Sequence, residues 1–261
     1  MSNENFVQLI LGDCLEVMKN IPDKSVDMIL CDLPYGITRC GWDSVIPFKP
    51  LWEQYNRVVK INGAVVLFGS EPFSSELRLS NLKNYRYDWI WRKPRGTGFL
   101  NAKRQPLRDF ENISVFYEKQ CTYNPQFTEG APYSRAKAGK SSKRVDAGVT
   151  VYGKHGDGAG FKNDNAGIRY PKQVLDFGVV ERNTLHQTQK PVALLEYLIR
   201  TYTNEGEVVL DNCVGSGSTG AACVNAARSF IGIEVCGEIF ETARKRLSEL
   251  SAAVMEYREE Q

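Results

Sequence analysis

The sequence predicts an α/β fold built on a mostly parallel sheet, and three observations support this. Short β-branched runs alternate with longer segments of helical periodicity. Two of those runs lead directly into acid-bearing loops punctuated by Gly or Pro, as strands do at the ligand end of a parallel sheet. The alternation breaks only once, in a long stretch rich in Gly, Pro, Ser, Asn, Lys and Arg.

Taken in order, residues 7–11 form the first strand and 15–20 a short helix. Residues 26–31, apolar but for Asp27, form a second, buried strand. A helix at 48–59, a strand at 64–68, a helix at 73–82 and a strand at 87–91 follow. A strand-like run at 113–117 lies inside the irregular stretch 93–185, which lacks a clear core of its own and reads as an insertion. Beyond it, Pro191 starts a helix at 192–202. A strand at 208–210, a helix at 218–227, a strand at 230–234 and a helix at 238–250 complete the chain. The last helix carries Phe240, Ala243, Leu247 and Leu250 at three-to-four spacing, an apolar stripe for one face. No internal repeat is present.

With 261 residues, one or two domains are expected, with ample room for a core. An apolar fraction of 42% excludes disordered and collagen-like readings. No apolar run approaches the roughly 20 residues of a membrane helix, and the first residues lack the basic and apolar regions of a secretory signal. Seven scattered cysteines without a CxxC pair imply reduced thiols in a cytoplasmic protein. His155 and His186 have no metal-type partners at suitable spacing, so no metal is expected.

The net charge of +2 conceals a strong asymmetry. Residues 92–144 hold 12 Lys and Arg against four Asp and Glu, a balance of +8, which leaves the rest of the chain at −6. A basic block of this kind either meets phosphates or forms a solvated loop.

Two loops carry chemistry. After the strand at 208–210 come Asp211-Asn212-Cys213-Val214-Gly215-Ser216-Gly217-Ser218-Thr219-Gly220 and a helix, the spacing that lets a backbone turn tightly beside a ligand. One strand later, Glu234 is placed to accept bonds from ribose hydroxyls. Taken alone, this admits NAD, a cofactor with ribose but no pyrophosphate such as S-adenosylmethionine, or a merely tight turn. No Lys follows Gly220, so it is not a P-loop.

The second loop follows the strand at 26–31 and reads Asp32-Leu33-Pro34-Tyr35-Gly36. Pro34 restricts Leu33 to extended backbone and so fixes the direction of its carbonyl. The Asp32 carboxylate, the Leu33 carbonyl and the Tyr35 ring together suit a planar ring bearing an exocyclic NH2. A capping Asp in a turn is the plainer alternative.

Asp32-Leu33-Pro34-Tyr35 resembles the DPPY motif of amino-group DNA methyltransferases, with Leu in place of the first Pro. Residues 209–219 resemble that family's cofactor loop, with Asn212-Cys213 where Pro-Phe is frequent. Leu11-Gly12-Asp13-Cys14 and His186-Gln187-Thr188-Gln189-Lys190-Pro191 are similar to flanking motifs, Gln187 replacing a frequent Pro. The catalytic motif precedes the cofactor loop with the basic region between them, which is the order of the β class. The resemblance covers most of the chain outside about 94–184.

The resemblance implies a Rossmann-like, seven-stranded, mostly parallel sheet with circularly shifted motif order. The catalytic and cofactor-binding domain would comprise 1–93 and 185–261, with 94–184 an inserted target-recognition region. It implies methyl transfer from S-adenosylmethionine to an exocyclic amino group of a flipped base in double-stranded DNA. A leading Asp favours adenine N6, with cytosine N4 as the alternative. Asp32, Leu33, Pro34 and Tyr35 would be catalytic. Asp13, Cys14, Asp32, Thr188, Lys190, Asp211, Asn212, Gly215, Ser216, Gly217 and Glu234 would hold the cofactor. Arg92, Lys93, Arg95, Lys103, Arg104 and Arg108, with Arg135, Lys137, Lys140, Lys143 and Arg144, would contact DNA. A homodimer and a cognate restriction endonuclease are further partners it admits. An NAD-dependent oxidoreductase and a DNA-binding module without catalysis are the rivals from other classes. Neither explains Asp32 to Tyr35 and the basic block together.

Overall fold

The computed structural model describes residues 5–36, 44–136, 162–178, 189–250 and 255–259. Chain contacts divide it into two compact units, 1–124 with 172–261, and 125–171. The second unit is narrower than the irregular stretch 93–185 marked by composition, because the central sheet recruits chain on both sides of it.

In the larger unit the strands are β1 (Val7–Leu11), β2 (Val26–Cys31), β3 (Val59–Gly69), β4 (Tyr85–Thr97) and β5 (Arg108–Phe116). The smaller unit holds β6 (Thr128–Glu129), β7 (Tyr133–Ala136), β8 (Lys162–Asn165) and β9 (Ile168–Arg169). The chain returns to the larger unit with β10 (Val174–Asp176), β11 (Val208–Asp211), β12 (Ser229–Glu234) and β13 (Met255–Glu259). The helices are α1 (Cys14–Val17), α2 (Phe48–Val58), α3 (Phe73–Ser80), α4 (Val192–Tyr202), α5 (Ser218–Asn225) and α6 (Gly237–Leu250).

One sheet orders the strands β10-β4-β5-β3-β2-β11-β12-β1-β13. Every pairing is parallel except those of β5, which runs antiparallel to both β3 and β4. The sheet thus has nine described strands, not seven. All seven expected strands are present, and the two additions are edges: β10 beside β4 and β13 beside β1. Neither edge offered an apolar run to read, since one has three residues and the other carries Glu256, Arg258 and Glu259. Short, charged edges discourage pairing with other chains.

Alternation along β2 explains the layering. Met28 and Leu30 join a core with Leu194, Leu198, Phe230, Phe240 and Leu247, so α4, α5 and α6 cover one face. Ile29 and Cys31 join Val17, Leu51, Tyr55 and Phe73, placing α1, α2 and α3 on the other. With both faces covered, all six β2 residues are buried, as expected for an interior parallel strand. The chain leaves neighbouring β2 and β11 in opposite directions, to β3 and to β12, which opens a crevice beyond their carboxyl ends.

The smaller unit consists of two antiparallel pairs, β6 with β9 and β7 with β8. Within it the Phe127 and Tyr170 rings meet edge to face at 5.0 Å, and the Arg169 guanidinium lies 4.8 Å from the Tyr133 ring centroid. Among the described residues, no helix is long and apolar enough to cross a membrane.

Candidate active site

The crevice is edged by acids. Asp32 follows β2, Asp211 ends β11, Glu234 ends β12 and Asp13 lies two residues past β1. These four strands are consecutive neighbours in the sheet. At roughly 4.8 Å per strand, the row of carboxylates spans about 14 Å.

Asp32 is held from both sides. Tyr35 Oη donates to its Oδ1 at 2.5 Å, and Lys190 Nζ donates to its Oδ2 at 2.5 Å. Tyr35 in turn stacks on Phe73, with ring centroids 4.9 Å apart and planes 30° from parallel. Burial, with the Asp32 charge beside it, pushes the Tyr35 phenol well above its ordinary range, so it stays a donor. Leu33 is buried in the α2-side core, which anchors the loop between Asp32 and Pro34.

Lys190 is only 7% exposed. It sits directly before Pro191, the residue that caps α4, and its Nζ lies 3.3 Å from Glu111 Oε2 on β5. Lys93 on β4 pairs with the other Glu111 oxygen. The result is a chain of alternating charge, Asp32–Lys190–Glu111–Lys93. Burial pulls the Lys190 ammonium down, but the Asp32 and Glu111 charges outweigh it and hold it above its usual value. Burial likewise opposes ionisation of Glu111, and Lys190 and Lys93 overcome it to hold that carboxyl low. Lys190, grouped by the resemblance with the cofactor's carboxylate end, is thus committed to Asp32. Lys93, grouped with DNA contacts, is committed to Glu111.

The glycine loop has the backbone its spacing implies. Gly215 (φ +54°) and Gly217 (φ +76°) adopt the left-handed conformation, and Gly217 caps α5. A Cβ on Gly220 would lie 2.8 Å from both Leu247 and Phe230, so that glycine sets the approach of α5 to α6 and β12. Glu234 folds back on the loop, accepting from Gly215 N at 3.0 Å, Cys236 N at 3.0 Å and Val235 N at 3.1 Å. Ser216 and Ser218 are buried, and Arg246 on α6 reaches Ser216 O and Ser218 Oγ at 3.1 Å. Asn212 Oδ1 accepts from the buried Tyr55 hydroxyl at 2.5 Å.

Asp211 is 3% exposed, and burial pushes its carboxyl up to about 6 despite donation from Cys213 N at 3.1 Å. Asp13 is exposed and accepts from Leu15 N at 2.8 Å, capping α1. Cys14 and Cys213 meet between them. Their mutual contact and burial keep the Cys14 thiol well above its ordinary range, so it remains a neutral group in the core beneath α1.

Of the basic block, Arg92 forms an exposed pair with Asp176 at 2.6 Å. Arg95, Lys103, Arg104 and Arg108 are exposed on the β4–β5 hairpin. The backbone of Arg135 lies on β7, opposite Asn163. Thr188, Lys137, Lys140, Lys143 and Arg144 lie outside the described residues, as do His155 and His186.

Sequence reasoning missed Glu111, Phe73, Tyr55 and Arg246. Each reaches the site across the fold, from elements distant in sequence, and only the strand register brings Glu111 beside Lys93. The one local signal was an acid two residues before the strand-like run at 113–117.

A family model described as DNA methylase matches residues 26–245. The type II methyltransferase M.HpaI of Haemophilus parainfluenzae is 27% identical over 257 residues, covering 92% of this chain and 74% of the relative. The DNA adenine methyltransferase YhdJ of Escherichia coli (strain K12) is 29% identical over 255 residues, covering 92% and 82%. Among solved structures, the crystal structure of the M1.HpyAVI–SAM complex matches with a TM-score of 0.61 at 26% identity, over 92% of this chain and all of that one. The cytosine-N4-specific PvuII DNA methyltransferase matches with a TM-score of 0.65 at 13% identity, over 95% and 94%, a likeness of fold.

Proposed function

The chain belongs to the DNA methylase family and is a DNA methyltransferase dependent on S-adenosylmethionine; we propose that it methylates the N6 amino group of adenine at a specific site in double-stranded DNA, after flipping the base. The observation that carries this reading is Asp32, fixed by Lys190 and Tyr35 at the mouth of the crevice, with the Leu33 carbonyl next to it. The name of the relative YhdJ, a DNA adenine methyltransferase, supports the same target.

The residues present suit the cofactor. A row of carboxylates along about 14 Å matches a ligand with a cationic sulfur, an ammonium, ribose hydroxyls and an adenine amino group. The same row would repel the pyrophosphate of a dinucleotide, which weighs against NAD. Asp13, Cys14, Asp211, Asn212, Gly215, Ser216, Gly217 and Glu234 are the proposed cofactor residues, with Thr188 by resemblance alone. When bound, the cofactor supplies an electrophilic methyl group on sulfur.

An aromatic amine is a poor nucleophile because its lone pair is delocalised into the ring. Asp32 and the Leu33 carbonyl, accepting from its two hydrogens, favour a pyramidal nitrogen with a directed lone pair. Preorganised acceptors of this kind contribute a few kcal/mol, about 3, to the transition state. Lys190 fixes the Asp32 carboxylate in place and keeps a positive charge on its far side. Tyr35, backed by Phe73, offers a stacking face to the flipped base.

A cognate restriction endonuclease belongs to the same proposal, supported by the type II name of M.HpaI. A homodimer and a cytoplasmic location rest on the sequence resemblance and on the reduced-thiol composition. Incubation with unmethylated DNA and labelled S-adenosylmethionine, followed by nucleoside mass spectrometry, tests the chemistry. N6-methyladenine is expected; N4-methylcytosine, or no methylated nucleoside, would overturn the adenine assignment. Asp32→Asn should abolish product while S-adenosylmethionine still binds.

A further inference from the structure

The β4–β5 hairpin carries a feature that base methylation as described leaves unused. Phe99 is 78% exposed and Leu100 fully so, at the tip of the hairpin. Large apolar side chains so exposed on an ordered turn mark a contact surface. The tip is ordered by Gly98, at φ +88°, which turns the chain into two successive hydrogen-bonded turns. In them Asn101 N donates to Gly98 O at 2.9 Å and Arg104 N to Asn101 O at 2.8 Å. Just below, the two arms touch: a Cβ on Gly96 would lie 2.8 Å from Leu107 Cβ.

Charge identifies the partner. Residues 94–108 hold Arg95, Lys103, Arg104 and Arg108 and no acid. Placement identifies where the partner is met. β4 runs parallel to β2, so its far end projects on the side of the sheet where Asp32 lies. At its base, Glu111 joins the charge chain to Asp32. Glu111 lies three residues beyond Arg108 along β5, a rise that lifts the tip by about 10 Å, comparable with the depth of a DNA groove. A second copy of this chain fits poorly, because two such tips would bring like charges together.

We propose that Phe99 and Leu100 form a wedge that enters the base stack of duplex DNA beside the target base, occupying the gap its extrusion leaves. Unstacking is thereby offset by apolar contact, while the flanking cations hold the two backbones. This deepens the proposed adenine reading and rests on it for the identity of the flipped base.

The test uses the full chain and unmethylated plasmid DNA, from which the methylated site is first read. Phe99→Ser/Leu100→Ser should lower the turnover of duplex by about tenfold or more, with S-adenosylmethionine affinity unchanged. On a duplex carrying that site with an abasic position opposite the target, activity should return to within about threefold of the unchanged chain. Phe99→Trp/Leu100→Met should retain activity, and its indole emission should be quenched by duplex. Unchanged duplex turnover, an equal loss on the opened duplex, or unquenched emission would overturn the wedge. So would loss of dimer formation or of anionic-vesicle binding with duplex methylation intact. Quenched emission with N4-methylcytosine or no methylated product would overturn the adenine reading alone.

Discussion

Glu111→Gln isolates the charge chain behind Asp32. The substitution preserves shape and removes one negative charge 3.3 Å from a buried ammonium. At that separation and an effective dielectric of about 20, the Coulomb attraction is about 5 kcal/mol. At about 1.4 kcal/mol per unit this sets a ceiling between about three and four units on the fall of the Lys190 pKa. Single neighbouring charges in proteins move a pKa by about 1–3 units, and that is the expected fall. Lys93, left without its partner, pushes in the same direction. In the unchanged chain Lys190 is held above its usual value and stays charged through the assayable range. In the variant it loses its proton, and Asp32 its cation, about 1–3 units lower. The assay is kcat at saturating DNA and cofactor across neutral to alkaline pH, with S-adenosylmethionine affinity measured in parallel. An alkaline limb shifted downward with affinity unchanged supports the chain. A limb that does not move, or a loss confined to cofactor affinity, refutes it. Acid stability gives an independent reading. Glu111 is held below its ordinary value of 4.5, so its contribution is present above that pH and is lost as pH falls through the folded value. The variant should lack this component of acid unfolding.

Three further outcomes follow from the same geometry. Asp211 is raised from 3.8 to about 6, so the native state binds its proton more tightly than the unfolded chain and stability falls as pH rises through that window. Asp211→Asn should therefore stabilise the unliganded protein at neutral pH by up to about 3 kcal/mol, seen as a higher Tm, while weakening S-adenosylmethionine binding. A lower Tm would show that its acceptor bonds outweigh the desolvation. Gly217→Ala imposes a side chain at φ +76°, 3.3 Å from Ala243 Cα. It should cost about 1–2 kcal/mol of stability and weaken cofactor binding by calorimetry, and unchanged values would refute the strained turn. Lys103→Ala/Arg104→Ala should reduce the slope of log DNA affinity against log salt by about 1 for each phosphate no longer neutralised, whereas an unchanged slope would make both solvated charges.

The elements that were legible in the sequence are those whose information is local. β2 reads as buried because six consecutive residues face two covered surfaces, and α6 because Phe240, Ala243 and Leu247 repeat with the helix. The glycine loop is legible because left-handed backbone at Gly215 and Gly217 nearly demands glycine. The edges β10 and β13 were not legible, since a polar edge strand acquires its conformation from the neighbour it pairs with. The charge chain was hidden for a stronger reason. Lys93 and Glu111 are 18 residues apart and Lys190 another 79 along, and their signs are meaningful only in the register of β4 on β5. Read as composition, Lys93 is one more cation in a +8 block. In the fold, a half-buried carboxylate claims it, and the cations exposed on the hairpin are the four around Phe99 and Leu100 together with Arg92, which pairs with Asp176. Among the described residues the basic block therefore divides by burial into a part that serves Asp32 and a part that faces outward, a division that net charge along the chain cannot express.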